Sequence, residues 1–259
     1  MMNYDTIRVE TENNIVLLTL NRPEVLNALN SQMRGEIADA TRQAPALGRV
    51  LVMTGEGDSF CSGQDLGDRV RPADADLERT ITDEYFPMLR AIRNLEIPVI
   101  SAVNGAAAGA GANLALAADV VIAAESAYFM QAFTRIGLIP DGGGTWLLPR
   151  RVGAAKAMGM MLFGDRIPAT KASEMGLIWE AVADDEFVEY WRSKALILAA
   201  GPTEAYKRIK SAVKAGFTNN FDAQIVLEAR LQGEVGKTRD FHEGMLAFLE
   251  GRKPEFEGR

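Results

Sequence analysis

The sequence contains few of the side chains that enzymes most often use for nucleophilic or metal chemistry. Of its 259 residues, one is cysteine, Cys61, and one is histidine, His242. A single cysteine excludes an internal disulfide, and a single histidine excludes a zinc site built from several imidazoles. Ser–His–Asp or Cys–His catalysis would have to use His242 itself. We therefore expect no metal site, and we interpret Cys61 as a packing residue.

Basic residues are also fewer than acidic residues. The chain has 28 lysines and arginines against 35 aspartates and glutamates, which gives a net charge of −7. Such a chain has no overall basic field to attract nucleic acid or anionic lipid. We expect neither partner, so an anionic ligand would have to be held by local basic side chains and backbone N–H groups.

A long uninterrupted apolar run is missing as well. The longest candidate, Val99–Ala124, is broken by Asn104, Asn113, Asp119 and glycines. A membrane-spanning helix would have to bury these polar groups. The first ten residues also lack the basic segment and apolar core of a secretory signal. These features predict a cytoplasmic protein.

The chain suits one large domain, or one domain with an appendage. Hydrophobic residues make up 47% of it and charged residues 24%, as in ordinary globular proteins. Gly201-Pro202 is the clearest candidate boundary. We expect a core at residues 1–200 that holds the active site, and a helical region at residues 201–259.

Apolar periodicity predicts an α/β fold. Thr6–Val9 and Ile15–Leu20 are predicted to form a hairpin, and Ser31 is predicted to cap a helix that ends at Gln43. Other predicted strands are Arg49–Thr54, Val99–Val103, Asp119–Ala123 and Leu177–Ala181. Other predicted helices are Leu77–Leu95 with a kink at Pro87, Ala110–Ala117, Ala154–Phe163, Pro168–Met175, Asp185–Ala199, Pro202–Ala215, Phe221–Val235 and Asp240–Leu249. The order strand, glycine turn, helix, strand is a crossover unit and predicts a parallel sheet. The segment from Ser59 to Leu66 is predicted to be a polar loop.

Two glycine-rich turns, Gly105–Gly111 and Gly142–Gly144, are the most unusual local feature. Glycine lets bare backbone approach another group closely. We interpret the first turn as a source of N–H groups for an oxyanion, and Asp141, just before the second, as the group that moves a proton. The alternatives are that the glycines only permit tight packing and that Asp141 is a turn residue.

Three segments together resemble the crotonase superfamily of enoyl-CoA hydratases and isomerases. They are FCSGQDL at Phe60–Leu66, AVNGAAAGAGANLALAAD at Ala102–Asp119 and IGLIPDGGGTWLLPR at Ile136–Arg150. The resemblance extends over nearly the whole chain and is strongest to the 1,2-epoxyphenylacetyl-CoA isomerases. It implies a spiral of ββα units with a C-terminal helical trimerisation region, and a homotrimer or a hexamer. It also implies an acyl-CoA substrate and no metal or redox cofactor.

The resemblance also implies roles for particular residues. Backbone N–H groups of Gln64 and Ala110 match the oxyanion hole of the family. The loop residues Ser62, Asp65 and Leu66 match its coenzyme A loop, and Arg22, Lys207 and Lys210 are candidate phosphate partners. The two glutamates that activate water in the hydratases fall at Asn113 and Phe133, which cannot act as bases. Asp141 matches the catalytic aspartate of the epoxyphenylacetyl-CoA isomerases.

These positions imply an isomerase of acyl-CoA thioesters. Its expected reaction converts 1,2-epoxyphenylacetyl-CoA into oxepin-CoA, and its expected second activity moves a Δ3 double bond to Δ2. The alternatives are a general enoyl-CoA isomerase or hydratase of the same superfamily and, from another class, a non-catalytic crotonase-fold binding protein.

Overall fold

Ten strands form two sheets within residues 4–68 and 76–259, the part of the chain that this computed structural model describes. The strands are β1 (Ile7–Glu12), β2 (Ile15–Leu20), β3 (Val50–Gly55), β4 (Ser59–Cys61), β5 (Val99–Val103), β6 (Ala106–Ala108), β7 (Val120–Ala124), β8 (Tyr128–Met130), β9 (Arg166–Pro168) and β10 (Glu180–Val182). The larger sheet has the order β1-β2-β3-β5-β7-β10, and the smaller sheet has the order β4-β6-β8-β9.

The larger sheet confirms the predicted hairpin and the predicted parallel pairing. Strands β1 and β2 are antiparallel, and the turn residues Asn13 and Asn14 have φ angles of 50° and 61°. Asparagine tolerates this left-handed region and therefore suits a two-residue hairpin turn. From β2 to β10 the neighbouring strands of this sheet are parallel. Their apolar side chains, such as Leu18, Val52 and Ile100, are fully buried.

The smaller sheet was not predicted. Its strands have three residues each, which is too short for a periodic pattern, and β6 consists of alanines, which have little preference for strands. The segment Ser59–Cys61 is therefore a strand rather than the predicted loop. The pairs β3/β4, β5/β6 and β7/β8 each place one strand in the larger sheet and the next in the smaller. This repeat confirms the expected α/β spiral of ββα units.

Helices fill the remaining turns of the spiral and the C-terminal part. They are α1 (Ser31–Gln43), α2 (Leu77–Thr80), α3 (Phe86–Asn94), α4 (Ala110–Leu116), α5 (Gly144–Phe163), α6 (Ala169–Glu174), α7 (Phe187–Ala200), α8 (Thr203–Gly216), α9 (Phe221–Val235) and α10 (Arg239–Glu250). The bounds of α9 agree with the prediction. Helix α5 begins earlier than predicted, but Gly153 interrupts it with φ 77° and ψ 161°, so its second half starts where the sequence indicated.

The N-cap of α1 and the kink expected at Pro87 differ from the prediction. The cap of α1 is Asn30, whose side chain accepts a hydrogen bond from Met33 N at 2.8 Å, so Ser31 is the first helical residue and not the cap. Asparagine is a strong N-cap in this geometry. The kink expected at Pro87 takes the form of a π-helical turn, Ile81–Tyr85, that joins α2 to α3. Proline has no N–H to donate, which favours such a change in the hydrogen-bond ladder.

The C-terminal helices are attached to the spiral by the partly buried basic side chains of Arg49 and Lys210. Arg49 donates to Thr203 Oγ1 at 2.8 Å and to Phe256 O at 3.0 Å. Lys210 lies 2.5 Å from Asp119 Oδ2 and donates to the carbonyl of Ile97 at 2.8 Å. The division of the chain at residue 200 stays a prediction. None of the described helices has both the length and the apolar character needed to cross a membrane.

Candidate active site

The peptide group of Gln64 is fixed by pairing with Leu29. Leu29 N donates to Gly63 O at 2.7 Å, and Asp65 N donates to Leu29 O at 3.1 Å. These two bonds form an isolated parallel bridge between Leu29 and Gln64. Because alternate N–H groups of an extended segment point in opposite directions, the N–H of Gln64 points away from Leu29. The residue before Gln64, Gly63, packs where β6 and α4 meet.

Glycine at position 63 allows this segment to lie directly on the start of α4. Gly63 has a φ of +100°, which favours glycine, and a methyl group added to it would lie 2.8 Å from Ala108 O and 3.4 Å from Ala110 N. Gly109, with φ 52° and ψ −125°, then turns the chain from β6 into α4. The backbones of Gln64 and Ala110 are therefore brought to one place by two glycines.

The N–H groups of Gln64 and Ala110 are both available to a ligand. Ala110 is the first residue of α4, where N–H groups have no partner within the helix. Among the residues that the structure describes, neither N–H donates a hydrogen bond. Two unpaired donors, with the positive end of a helix dipole beside them, can bind an oxygen that gains negative charge.

Asp141 lies in the turn before α5 and is tied to α4 by its backbone. Asn113 Nδ2, one helical turn after Ala110, donates to Asp141 O at 2.7 Å. Asn113 Oδ1 in turn accepts from Gln131 Nε2 at 2.9 Å, and the side chains of both amides are buried. This pair of amides holds the Asp141 turn against the helix that carries Ala110.

The carboxylate of Asp141 is in an unusual environment. Its Oδ1 atom is buried and has no hydrogen-bond partner in the described part of the chain. Burial raises the pKa of Asp141 to about 6. A carboxyl group with such a pKa can both accept and return a proton near neutral pH. Two N–H groups that donate no hydrogen bond in the described residues and one carboxyl group able to exchange a proton are therefore all held by α4 and its neighbours.

Known proteins are similar to this chain in sequence and in fold. The sequence profile described as enoyl-CoA hydratase/isomerase matches residues 10–259. The chain belongs to the enoyl-CoA hydratase/isomerase family. It is 57% identical over 258 residues to the "probable enoyl-CoA hydratase" of Rhodobacter capsulatus, with both chains covered in full. It is 46% identical over 264 residues to the 1,2-epoxyphenylacetyl-CoA isomerase of Escherichia coli, again with full coverage of both.

Solved structures support the same family. The enoyl-CoA hydratase from Bacillus anthracis superimposes with a TM-score of 0.92 and 32% sequence identity, covering 98% of this chain and 100% of that one. The protein is thus an enzyme of the acyl-CoA hydratase/isomerase type with the crotonase fold.

Neither position expected for the hydratase glutamates of this family carries a carboxylate. Asn113 is fully buried and its amide is used by Asp141 and Gln131. Phe133 is buried, and its ring lies 3.8 Å from a methyl group placed on Gly109. The first position has become part of the support of Asp141, and the second is an apolar side chain facing Gly109.

The loop expected to bind coenzyme A in this family is held by its own side chains. The Ser62 hydroxyl donates to Val25 O at 3.3 Å. Asp65 Oδ2 pairs with Arg22 at 2.8 Å, and Asp65 Oδ1 accepts from Gly67 N at 2.9 Å. Leu66 is 70% exposed. The structure thus gives Ser62 and Asp65 a role in shaping the loop and leaves Leu66 open to a ligand.

The basic side chains and the lone cysteine are placed in structural roles. Arg22 pairs with Asp65, Lys207 with Glu96 and Lys210 with Asp119.

Cys61 is fully buried in β4, and burial raises the pKa of its thiol to about 12, which makes it a poor nucleophile. Among the described residues, no group of three or more His, Cys, Asp or Glu side chains is placed to hold a metal ion.

Three residues close to the site were not predicted to be there: Arg34, Glu84 and Tyr85. The only sequence signal was an arginine next to the apolar positions of α1, Met33 and Ile37. Glu84 is a second carboxylate near the site, but it binds the Arg34 guanidinium at 2.5 and 2.9 Å. Glu84 is thus held in an ion pair, whereas Oδ1 of Asp141 has no hydrogen-bond partner in the described residues.

Proposed function

We propose that this protein is an isomerase of acyl-CoA thioesters that converts 1,2-epoxyphenylacetyl-CoA into oxepin-CoA. A second activity moves a Δ3 double bond of an enoyl-CoA to Δ2. The observation that carries the proposal is the buried Oδ1 of Asp141, which has no hydrogen-bond partner in the described residues, with a pKa raised to about 6. The 46% identity to the E. coli isomerase supports the choice of substrate.

The mechanism follows from the arrangement of these groups. The thioester oxygen accepts hydrogen bonds from Gln64 N–H and Ala110 N–H, which stabilise the enolate by about 3 kcal/mol for each donor. In the double-bond shift, Asp141 removes a proton from C2, and the electron pair is delocalised over the enolate and the former double bond. The protonated Asp141 then returns the proton to C4. One base is sufficient because no water is added.

Hydration is the competing activity within the family. It would require a group that activates water, and the two expected positions are the buried amide of Asn113 and the ring of Phe133. Hydration by the two-glutamate mechanism is therefore not supported in this chain. The name of the R. capsulatus relative keeps hydratase activity as the alternative to be tested.

Purified protein tests the proposal directly. We expect turnover of 1,2-epoxyphenylacetyl-CoA, and conversion of a synthetic 3-enoyl-CoA to the 2-enoyl-CoA, each followed by liquid chromatography. With 2-enoyl-CoA in water, we expect no 3-hydroxyacyl-CoA. Formation of 3-hydroxyacyl-CoA as the main product would contradict the isomerase assignment, and failure to convert any of the three thioesters would favour a non-catalytic binding protein.

We also propose that the protein assembles as a homotrimer or as a hexamer of two trimers. The C-terminal helices expose large apolar side chains that a monomer would leave in water: Val213, Phe221, Val226, Phe248 and Leu249 are between 60% and 86% exposed. We expect light scattering to give three or six times the chain mass of 28.2 kDa. A monomeric mass at micromolar concentration would contradict this proposal.

A further inference from the structure

The side chain of Gln64 is fixed as firmly as its backbone. Gln64 Oε1 accepts a hydrogen bond from the Tyr85 hydroxyl at 2.6 Å and another from Arg34 Nη1 at 3.2 Å. Its Nε2 donates to Asp65 O at 3.2 Å. The residue follows Gly63, whose freedom of rotation would otherwise leave this segment loosely defined. The partners of the Gln64 side chain therefore act together with the Leu29 bridge to hold the Gln64 N–H in place.

Arg34 holds the same segment from a second direction. Its side chain is 2% exposed, and its Nη1 donates to Leu29 O at 2.6 Å. That carbonyl also accepts from Asp65 N, so Arg34 contacts both the side chain of Gln64 and the backbone bridge that orients it. Glu84 neutralises the charge of Arg34. A buried guanidinium requires such partners, because a buried unpaired charge is strongly unfavourable.

The π-helical turn between α2 and α3 supplies both other members of the cluster. Its last two residues are Glu84 and Tyr85, and Tyr85 is 2% exposed. The Arg34 guanidinium lies 4.8 Å from the centre of the Tyr85 ring. Burial raises the pKa of Tyr85 well above its usual range; the charge of Arg34 opposes this shift, and the negative charge of Asp141 adds to it. Tyr85 thus contacts the side chain of Gln64 directly and is close enough to Asp141 for the charge of that carboxylate to act on it.

We propose that Tyr85 and Arg34 are positioning residues of the oxyanion hole, which act on the thioester through the side chain of Gln64. This inference rests on the proposed function and extends it to residues outside the motifs of the family. Neither residue touches the thioester. Their effect is to keep the Gln64 N–H directed at the carbonyl oxygen when that oxygen becomes negative.

The test compares Tyr85→Phe with Tyr190→Phe as a matched control. Tyr190 also uses its hydroxyl to bind one side chain, Glu180, but it lies on α7, far from Gln64 in the chain. Removing the Tyr85 hydroxyl deletes one hydrogen bond to Gln64 and leaves the ring against Arg34. We expect kcat for 3-enoyl-CoA isomerisation to fall about tenfold with KM within about twofold, as for an interaction made in the transition state. The control is expected to keep the kcat of the wild type.

A spectroscopic readout separates positioning from packing and does not require turnover. Phenylacetyl-CoA carrying a ¹³C-labelled thioester carbonyl is bound to each protein, and the carbonyl stretch is measured by difference infrared spectroscopy. We expect a shift to lower frequency in the wild type and in Tyr190→Phe, and a smaller shift in Tyr85→Phe. In a Gln64→Met background, Tyr85→Phe is expected to have no additional effect on kcat or on the carbonyl stretch. Methionine lacks the amide oxygen that accepts the hydrogen bond from the Tyr85 hydroxyl, so Tyr85 can no longer act through residue 64.

The outcomes distinguish this proposal from the proposed function. A wild-type carbonyl shift that Tyr85→Phe reduces, without turnover of any substrate, would leave the positioning role intact and overturn the isomerase assignment. Isomerisation by the wild type, with an unchanged band and unchanged kcat in Tyr85→Phe, would overturn the positioning role alone. Additive effects of Tyr85→Phe and Gln64→Met would show that Tyr85 does not act through Gln64 and would also overturn it.

Discussion

Asp141→Asn is expected to lower the kcat of isomerisation by a factor of about 10² to 10⁴, which is the range for losing a positioned general base. Asparagine has nearly the same shape, and the contact from Asn113 is made to the main-chain carbonyl of residue 141, so the turn is kept. The loss is therefore chemical rather than structural. Stopped-flow or steady-state assays with 3-enoyl-CoA measure it, with Asp184→Asn on the exposed surface as the control.

The pH dependence of the same reaction follows from the pKa of Asp141. Proton removal requires the carboxylate form, and burial raises the pKa of this group to about 6. We expect kcat/KM of the wild type to rise with pH through about 6 and to level off above it. The residual activity of Asp141→Asn should lack this rise. A variant with nearly full activity and an unchanged pH profile would show that another group is the base.

Asp141→Asn is expected to lower activity but to raise the free energy of unfolding at neutral pH. The pKa of Asp141 rises from its ordinary value of 3.8 to about 6 in the fold, so folding disfavours the ionised form. The penalty is absent below pH 3.8, develops as the pH rises to 6 and is complete at neutral pH. This pKa difference corresponds to a loss of at most about 3 kcal/mol in the free energy of unfolding. Partial exposure of the carboxyl group to solvent reduces the loss to about 1–2 kcal/mol.

Denaturant unfolding of Asp141→Asn therefore provides an independent check. We expect the variant to be more stable than the wild type at pH 7 and about equally stable at pH 4. Lower stability of the variant at pH 7 would contradict the description of Asp141 as a carboxylate whose buried Oδ1 has no hydrogen-bond partner in the described residues. An active-site group that reduces stability is common, because function and stability make different demands on one side chain.

Local sequence patterns were sufficient for the larger sheet and most helices, and insufficient for the smaller sheet. Strand β5 is a continuous apolar run, and helix α9 is long enough for its apolar periodicity to define it. Strands β4 and β6 exist because they pair with each other within the spiral, and three residues carry no periodic signal of this pairing. Tertiary pairing overrides the weak preference of alanine for strands at β6.

For the candidate site, the sequence indicated the groups proposed to face the substrate and not the groups that support them. Glycine turns and a lone carboxylate are local signals, and the structure brings Gln64, Ala110 and Asp141 to one region. The support comes from contacts between residues far apart in sequence, such as Arg34 with Glu84 or Asn113 with Gln131. The sequence showed that Asn113 stands where the hydratases of the family have a catalytic glutamate. Only the structure shows that its amide now holds the Asp141 turn.

The oxyanion hole can be tested by removing one backbone donor with Ala110→Pro. Ala110 is the first residue of α4, a position where proline is well accepted because its missing N–H has no partner in the helix. The preceding residue, Gly109, has φ 52° and ψ −125°, a conformation that glycine adopts before proline without the clash of a side chain. The substitution therefore deletes the donor while respecting the backbone of the helix.

We expect Ala110→Pro to lower kcat by a factor of about 10² to 10³, the typical effect of losing one oxyanion donor. Ala110→Gly, which keeps the N–H, should retain kcat within a few fold. Arg239→Pro is the matched control, because Arg239 is the exposed first residue of α10 and the preceding residue, Thr238, has the extended conformation that proline requires. Activity of a folded Ala110→Pro within threefold of the wild type would mean that the thioester oxygen binds elsewhere.

The combination of the two substitutions tests whether the groups serve one transition state. If Ala110 N–H stabilises the enolate that Asp141 creates, the donor has little to stabilise once the base is gone. The double variant Asp141→Asn with Ala110→Pro should then be only slightly slower than Asp141→Asn alone, because groups that act as a unit have strongly non-additive effects. Fully multiplicative losses would instead indicate two independent contributions, and the shared reaction centre inferred from the Asn113 contact would be wrong.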